Sequence, residues 1–315
     1  AQVGQGRIAS TLEPAVVAAG GYTPDDFFLP GLMSLLINGH YLADWTLYKE
    51  MKVVPPDSAS TWDENGFRVK QVWSVVPSQE RWETGWDDLV DEMYELSKKA
   101  VANVLKAHPQ WILPLSSGLD SRLIAGVAAE VGANAHAYAW GGPHTTDVVY
   151  SQKIAKALGF PWKRIDLPKD FLSKYTPHWA NWFGSAMHFH GMYQMAFLDE
   201  IQSERPGPII SGFVGDVLAG DSIKDLDVVH KSRRSYQLEG DWYCHWTPDE
   251  IRSHAKFPFA EALEANADEL KRQADSLPGV FYQKMQLLEL RNRQRHFTSF
   301  QSTLSDYWRG VANPF

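Results

Sequence analysis

Apolar positions Leu89, Met93, Leu96, Ala100 and Val104 recur at spacings of four, three, four and four, which predicts an amphipathic helix turned toward a core. Thr84 is the predicted N-cap, with Asp87 three residues on, and the helix stops near Pro109. Beyond it, short apolar runs alternate with helical patterns. Residues 112–115 predict a strand, and 121–131 a helix with Leu123, Ile124, Val127 and Ala128 inward and Gly132 as its stop. Ala135–Trp140 predicts a second strand, 147–158 a helix ended by Gly159, and 162–167 a third strand. A helical, aromatic-rich stretch then runs to about Glu204, and 208–211 predicts a fourth strand. Strands separated by helices of this length imply right-handed crossovers and a parallel sheet covered on both faces. Ligands on such sheets sit at the carboxyl ends of the strands. The loops 116–121 and 212–216, which leave strand ends with glycine and aspartate, are therefore expected to meet there.

The flanks have a different texture. Up to about residue 78 the chain is mixed: an apolar helical stretch from Phe27 to Ile37, then Pro55-Pro56, then alternation. Phe67-Arg68-Val69-Lys70-Gln71-Val72-Trp73 alternates as a half-buried strand does. This section has few residues with which to close a core of its own. After Asp225 the pattern is mostly helical, with helices near 258–276 and 282–297, and no repeat or low-complexity tract is visible.

Composition narrows the class. The 44% apolar and 22% charged content of the 315 residues is that of a soluble globular chain. Thirteen tryptophans point to an aromatic-rich core or cleft, with the core expected to take most of them. A net charge of −8 argues against sequence-independent nucleic-acid binding but leaves room for a small anionic substrate. The single cysteine, Cys244, cannot form an intrachain disulfide, which suits a reducing compartment. No apolar run reaches the roughly 18 residues of a membrane span and no leader pattern is present, so a cytoplasmic location is expected.

The chemistry concentrates in Trp111-Ile112-Leu113-Pro114-Leu115-Ser116-Ser117-Gly118-Leu119-Asp120-Ser121, a strand running into a small-residue loop that opens a helix. Such a loop wraps a phosphate with backbone N–H groups at a helix N-terminus. The Walker pattern G-x-x-x-x-G-K-[ST] is absent, and so is G-x-G-x-x-G after a strand. Three hydroxyls and a glycine turn can cradle one phosphate, and Asp120 can hold magnesium against it. A site without the lysine suits a leaving pyrophosphate better than a transferring γ-phosphate. The plain alternative is a serine-rich strand–turn–helix without a ligand.

The loop resembles the S-G-G-x-D-S signature of ATP pyrophosphatases, in the form seen in asparagine-synthetase-like enzymes, with β-lactam synthetase and lasso-peptide cyclase relatives. Further stretches follow in the family's order. Ala137-Tyr138-Ala139-Trp140-Gly141 resembles its adenine-holding strand. Asp147 with Ile154-Ala155-Lys156-Ala157-Leu158-Gly159 resembles its D…A…VA..LG helix, and Ile210-Ser211-Gly212-Phe213-Val214-Gly215-Asp216 its S-G-x-G-x-D-E loop. Trp45-Thr46-Leu47-Tyr48-Lys49 and Val54-Pro55-Pro56 look like the end of a glutaminase domain, and Val311-Ala312-Asn313-Pro314-Phe315 like the R-x-P-F segment. The resemblance implies an α/β fold: a parallel twisted sheet flanked by helices, of the adenine nucleotide alpha-hydrolase-like synthetase type. It assigns 79–315 to that domain, incomplete at its C-terminus and helical there, and 1–78 to a remnant of a glutaminase-like (Ntn hydrolase-like) domain.

The implied reaction is ATP-dependent. A substrate carboxylate attacks the α-phosphate, giving an acyl-adenylate and pyrophosphate, and ammonia or an amine then displaces AMP. ATP and Mg2+ are the implied cofactors. Asp120, Asp216 and Ser121 are the implied catalytic residues, and the two aspartates the magnesium ligands. Leu115, Ser116, Ser117, Gly118, Asp120, Ser121, Trp140, Gly141, Asp147 and Gly212 are the implied nucleotide-binding positions. The implied partners are a small-molecule or peptide carboxylate, an ammonia or amine donor and a glutaminase partner, without nucleic acid or membrane.

The chain also departs from the family pattern. Ser117 replaces a second glycine, at roughly 1 kcal/mol if that position needs φ > 0. Phe213 stands where asparagine synthetases have glutamate and β-lactam-forming relatives tyrosine, so ordinary aspartate amidation is not expected. Val217 replaces an acid. Ala1 stands where glutaminases have a nucleophilic cysteine, and the chain stops at Phe315, before the segment in which relatives carry an assisting lysine. A fragment or a reduced enzyme unable to hydrolyse glutamine is expected. A sugar carboxylate or peptide side chain is the acceptor suggested by the likeness of 119–122 and 292–295 to relatives in polysaccharide or peptide modification.

Two other functions compete: a catalytically degenerate nucleotide- or partner-binding relative, and another enzyme with this loop, such as an ammonia-dependent synthetase or a tRNA-modifying enzyme. The acidic balance and lack of cysteine pairs weigh against tRNA. His188 and His190 lack a third metal ligand nearby, and packing is the simpler role. Arg291, Arg293, Arg295 and His296 either reach an anion or form a solvated face. Trp179, Trp182 and Tyr193 lie where a substrate pocket is expected, with core packing as the alternative. Cys244 has no motif supporting a nucleophilic role.

Overall fold

The computed structural model describes residues 1–3, 6–64, 66–78, 81–202, 207–213, 215–218, 248–298 and 310–314. The chain divides into two units, one of residues 1–78, 177–189 and 222–300, the other of 79–176, 190–221 and 301–315. In the first unit, β1 (Gln2–Val3) pairs antiparallel with β2 (Gly6–Arg7). Helix α1 (Glu13–Gly20) has proline in its first turn and ends on Gly21 at φ 66°. Its Glu13 carboxylate accepts from the Ser185 N–H (2.5 Å) and hydroxyl (2.6 Å) and from the Ala186 N–H (2.9 Å), while burial raises its pKa. Helix α2 (Leu29–Asn38) is the apolar stretch expected from Phe27 onward.

Strands β3 (Ser58–Asp63) and β4 (Gly66–Gln71) form an antiparallel hairpin. The half-buried strand expected at 67–73 is corrected here: from Arg68 on, both faces of β4 are exposed, and Val69 is 42% accessible. Alternation marks which residues share a face but carries no information on whether a layer covers it.

The second unit begins with α3 (Trp86–Leu105), N-capped by Gly85 without a side-chain hydrogen bond, so Thr84 is not the cap. The expected stripe is also corrected. Ser97, Val101 and Leu105 are buried, while Met93 and Leu96 are 53% and 60% accessible. The buried face lies one position C-terminal to the expected one, and Tyr94 still reaches Glu130 of the next helix at 2.7 Å. Strand β5 (Trp111–Pro114), α4 (Leu119–Glu130), β6 (Ala135–Trp140), α5 (Thr146–Leu158) and β7 (Trp162–Ile165) follow as expected, within a few residues. Gly132 and Gly159 close their helices at φ 70° and 77°. Helix α6 (Phe171–Phe183) contains Pro177, where the division between the units falls. Helix α7 (Gln194–Ile201), β8 (Ile209–Ile210) and the short α8 (Gly215–Leu218) complete this stretch.

The sheet is parallel throughout, in the order β7-β6-β5-β8-β9. Its fifth strand, β9 (Val311–Ala312), was not expected, because two residues are too few to show a period. The architecture is thus α/β, a five-stranded parallel sheet flanked by helices. Its core joins Trp111, Leu113 and Leu115 of the first strand segment to Ile124, Val127 and Ala128 of α4, Val101 of α3 and Ile210 of β8. Tryptophan is less central than expected: Trp45, Trp111 and Trp179 are buried, but Trp62, Trp73, Trp82 and Trp86 are exposed.

In the first unit, α9 (Pro248–His254), α10 (Phe259–Ser276) and α11 (Phe281–Glu289) follow. Met33 and Ile37 of α2 pack with Ile251, Phe259 and Ala262. Helix α11 continues into a nine-residue π-helix, Leu290–Thr298. Its wider turn brings Asn292, Arg295 and His296 onto Ala43, a non-glycine residue at φ 50°. Asn292 Oδ1 accepts from the Ala43 N–H at 2.9 Å, and the Ala43 carbonyl accepts from Arg295 (2.6 Å) and His296 Nε2 (2.9 Å). Arg295 also donates to the Val54 carbonyl, and Arg291 lies 3.6 Å from Asp57, which is itself at φ 54°. These hydrogen bonds offset the roughly 1–2 kcal/mol that a left-handed residue costs. Two members of the basic cluster are therefore not on a solvated face: Arg295 and His296 clamp the 43–57 segment.

Burial lowers the His296 pKa from 6.5 to about 3, reinforced by the Arg295 charge. Between those values the unfolded chain binds a proton that the folded chain refuses, so stability falls as pH drops through that window. Wild-type protein should lose about 2 kcal/mol more than His296→Gln between about pH 7 and about pH 4.5 in thermal or urea unfolding. Parallel pH profiles would show that His296 is not buried as the neutral ring.

Candidate active site

The first loop leaves β5 through buried Leu115, whose N–H donates to the Tyr138 carbonyl at 2.8 Å. Gly118 is extended (φ −68°, ψ 156°) and starts α4 with no side-chain cap, leaving the first N–H groups of the helix without that partner. Ser116 and Ser121 brace the turn. Their hydroxyls lie 3.0 Å apart, Ser121 Oγ accepts from the Ser116 N–H (3.2 Å), and Ser116 Oγ accepts from the Gly118 N–H (3.0 Å). Ser117 has no positive φ, so the strain anticipated for a serine here does not arise. Its N–H and hydroxyl both donate to Asp147 Oδ1, at 2.9 and 2.6 Å.

Asp147 lies in the first turn of α5, whose N-cap Thr145 turns its hydroxyl to the Gly142 carbonyl (2.9 Å) and not into the helix. Gly141, at φ 123°, ends β6. Its N–H donates to the Ile165 carbonyl (3.0 Å), and its carbonyl accepts from Arg164 (3.1 Å), a contact that no sequence motif signalled. Trp140 packs on Phe197 (4.7 Å between ring centroids) and Tyr193 (6.1 Å). Burial raises the Tyr193 pKa, and the Asp147 charge adds to the rise.

The second loop follows β8. The Ser211 N–H donates to the Ala312 carbonyl of β9 (3.0 Å), and Ser211 Oγ accepts from the Phe213 N–H (3.2 Å). A Cβ on Gly212 would lie 2.8 Å from the Asp120 carbonyl carbon and 3.0 Å from the Ser121 nitrogen. A Cβ on Gly215 would lie 2.9 Å from the Asp120 carboxyl carbon and Oδ1. The two loops thus meet at backbone distance, and the Asp120 carboxyl group rests against the residue preceding Asp216. Asp216 is exposed, with Oδ1 accepting from the Val217 N–H at 2.8 Å, and Val217 is buried beneath it. Half-buried Phe213 brings no acid or base.

Other candidates fall elsewhere. Among the described residues no group of three or more His, Cys, Asp or Glu could hold a metal ion. His188 stacks on Phe189 (4.5 Å), in keeping with packing; the His190 side chain and Cys244 lie outside the described residues. Trp179 is buried against Phe183 (4.7 Å) in the first unit, with Trp182, whereas Tyr193 belongs to the second.

The arrangement defines a class: a parallel α/β domain with two small-residue, aspartate-bearing loops abutting at strand carboxyl ends. Residues 92–220 match the family model described as asparagine synthase, the resemblance that the loop sequences carry. That family is one of ATP-using, amide-forming synthetases. No curated protein matches the chain in sequence. Among solved structures, the chain is similar to a glutamine-dependent NAD+ synthetase from Acinetobacter baumannii in complex with ADP (14% identity, TM-score 0.32). The match covers 72% of this chain and 39% of that one, so the chain spans well under half of that relative's length. It is also similar to an NH3-dependent NAD synthetase from Campylobacter jejuni subsp. jejuni NCTC 11168 in complex with nitrate (14% identity, TM-score 0.31, 66% of this chain and 93% of that one).

Two substitutions in this region should separate. Gly212→Ala pushes a methyl group into the Asp120 backbone, costing about 1–3 kcal/mol and parting the loops. Gly126→Ala, in the middle of α4 with open space around it, should stabilise by about 0.5–1 kcal/mol. Thermal unfolding of both variants checks this, and equal effects would mean that the loops do not touch as described.

Proposed function

We propose that this chain is an AMP-forming carbon–nitrogen ligase. A substrate carboxylate attacks the α-phosphate of ATP, forming the acyl–oxygen–phosphorus linkage and expelling pyrophosphate. Ammonia or an amine then attacks the acyl carbon and AMP leaves. The observation that carries this reading is the seating of the Asp120 carboxyl group against Gly215, beside Asp216. The start of α4, which has no side-chain cap, and the hydroxyls of Ser116 and Ser121 offer donors to the departing pyrophosphate, joined by Ser117 once Asp147 releases it, and Leu115, Gly118 and Gly212 hold the loops in register. Trp140 and Gly141 supply the adenine side, and Asp147 touches the phosphate loop through Ser117.

The donor set suits magnesium. Two carboxylates, with no group of three or more candidate ligands among the described residues, would suit an ion that phosphate oxygens and water also bind, as Mg2+ commonly does. When bound, the ion neutralises charge on the leaving group. Asp120 and Asp216 would hold it. Most of the rate then comes from positioning and electrostatics. Phe213 takes no proton, so the nitrogen nucleophile has to arrive neutral and, after attacking, pass one proton to the departing AMP phosphate or to water.

In this reading residues 79–315 are the synthetase part and 1–78 a remnant of a glutaminase-like part. Nitrogen comes from free ammonia, an amine or a glutaminase partner. The acceptor is a small-molecule or peptide carboxylate in the cytoplasm. No described helix is long and apolar enough to cross a membrane. One observation favours the second reading, a binding relative without turnover: the Ser117 donors are already taken by Asp147.

Incubation with ATP, magnesium, ammonium or a simple amine and a panel of carboxylates, following pyrophosphate and AMP, tests the proposal. Carboxylate-dependent release of both is expected, and Asp120→Asn should lower it by at least about a hundredfold while leaving the unfolding temperature within a few degrees. Release of ADP and phosphate would overturn the proposal. Nucleotide binding without turnover across the panel would establish the second reading.

A further inference from the structure

Asp147 makes an unusual choice of partner. An aspartate in the first turn of a helix ordinarily favours its own helix's N–H groups. Here one carboxylate oxygen reaches across to a loop 30 residues away in sequence and accepts both donors of Ser117. Neither nearby helix supplies a side-chain cap: Gly118 starts α4 and Thr145 starts α5, and neither makes that bond. A helix N-terminus carries about half a positive charge. The Asp147 carboxylate thus lies in the first turn of one such terminus and is bonded to the residue before the other. Two convergent donors beside two helix starts are what an anion site requires, and the anion in it is supplied by the protein.

We infer that Asp147 is the resident anion of the 116–121 loop, and that a polyphosphate must displace it from Ser117 in order to bind. This inference rests on the reading of the loop as a phosphate site and gives Asp147 a specific part in it, as a positioning residue and competitor in place of a nucleotide ligand. The consequence is selectivity by charge. A ligand with several phosphate charges outweighs a single carboxylate at this point, whereas a weakly charged one leaves the loop closed on itself.

Calorimetric titration of the full chain with inorganic pyrophosphate tests it, in wild type, Asp147→Ala and Asp147→Asn. Asp147→Ala frees both donors and should tighten pyrophosphate binding roughly tenfold, the factor that about 1.4 kcal/mol of lost competition gives. Asp147→Asn keeps the shape and an acceptor oxygen without the charge, and should tighten binding by a smaller factor. The isosteric variant carries the test if the alanine variant does not fold. Unchanged or weaker binding in the variants would overturn the inference, and weaker binding would make Asp147 a ligand. Absence of pyrophosphate binding in all three proteins would overturn both this inference and the phosphate-site reading. Tighter binding in the variants without AMP formation from any carboxylate would uphold the inference and remove the ligase assignment alone.

Discussion

The structure of the site depends on one steric constraint, the absence of side chains at residues 212 and 215. Packing two loops at backbone distance brings the start of α4 against the turn after β8, and no residue with a Cβ fits between them. The aspartates 120 and 216 are separated by most of a hundred residues, yet this contact makes them neighbours along a single seam. The hydrogen bonds of the region then settle locally: serines brace the first turn, Ser211 braces the second, and the sheet supplies a fixed base.

Much of this was legible in the chain, for identifiable reasons. Ala135–Trp140 was readable to the residue because a buried strand between two glycine-stopped helices leaves little freedom of boundary. The meeting of the two glycine–aspartate loops followed from parallel topology alone. What failed did so where burial had to be guessed. The α3 periodicity is truly helical, but the face that packs is Ser97, Val101 and Leu105, one position on from the Leu96, Ala100 and Val104 of the expected stripe. The β4 alternation is a true strand, paired with β3 as in the Trp62–Phe67 ring contact at 5.9 Å, but from Arg68 on both of its faces stay exposed. Periodicity reports the shape of an element, while its covering is a property of the rest of the chain.

The π-helix was invisible for a different reason. A run such as Leu290-Arg291-Asn292-Arg293-Gln294-Arg295-His296 reads as an exposed α-helix by charge. Its widened turn turns Asn292, Arg295 and His296 inward, onto a segment some 250 positions earlier. Burial holds the Arg295 guanidinium down at about 10, against the opposing charges of Asp44 and Asp57, which only the folded surroundings could reveal. Asp147 likewise reads from sequence as a member of a nucleotide-binding motif. Its bond to Ser117 shows a motif residue acting on the loop itself.

The two-residue strand β9 carries a kinetic consequence. Ile209 pairs with Val311 and Ile112 with Ile209, so the strand that carries the second loop is held on its outer side by residues about a hundred positions later. Closing chain segments that long is slow compared with forming the α4 and α5 crossovers. During synthesis the β7-β6-β5 half of the sheet can assemble early, but the Ser211 N–H finds its carbonyl only once residue 312 has left the ribosome. A nascent chain stalled before that point would hold the first loop without its counterpart, and ought to be a substrate for chaperones before it is able to engage nucleotide.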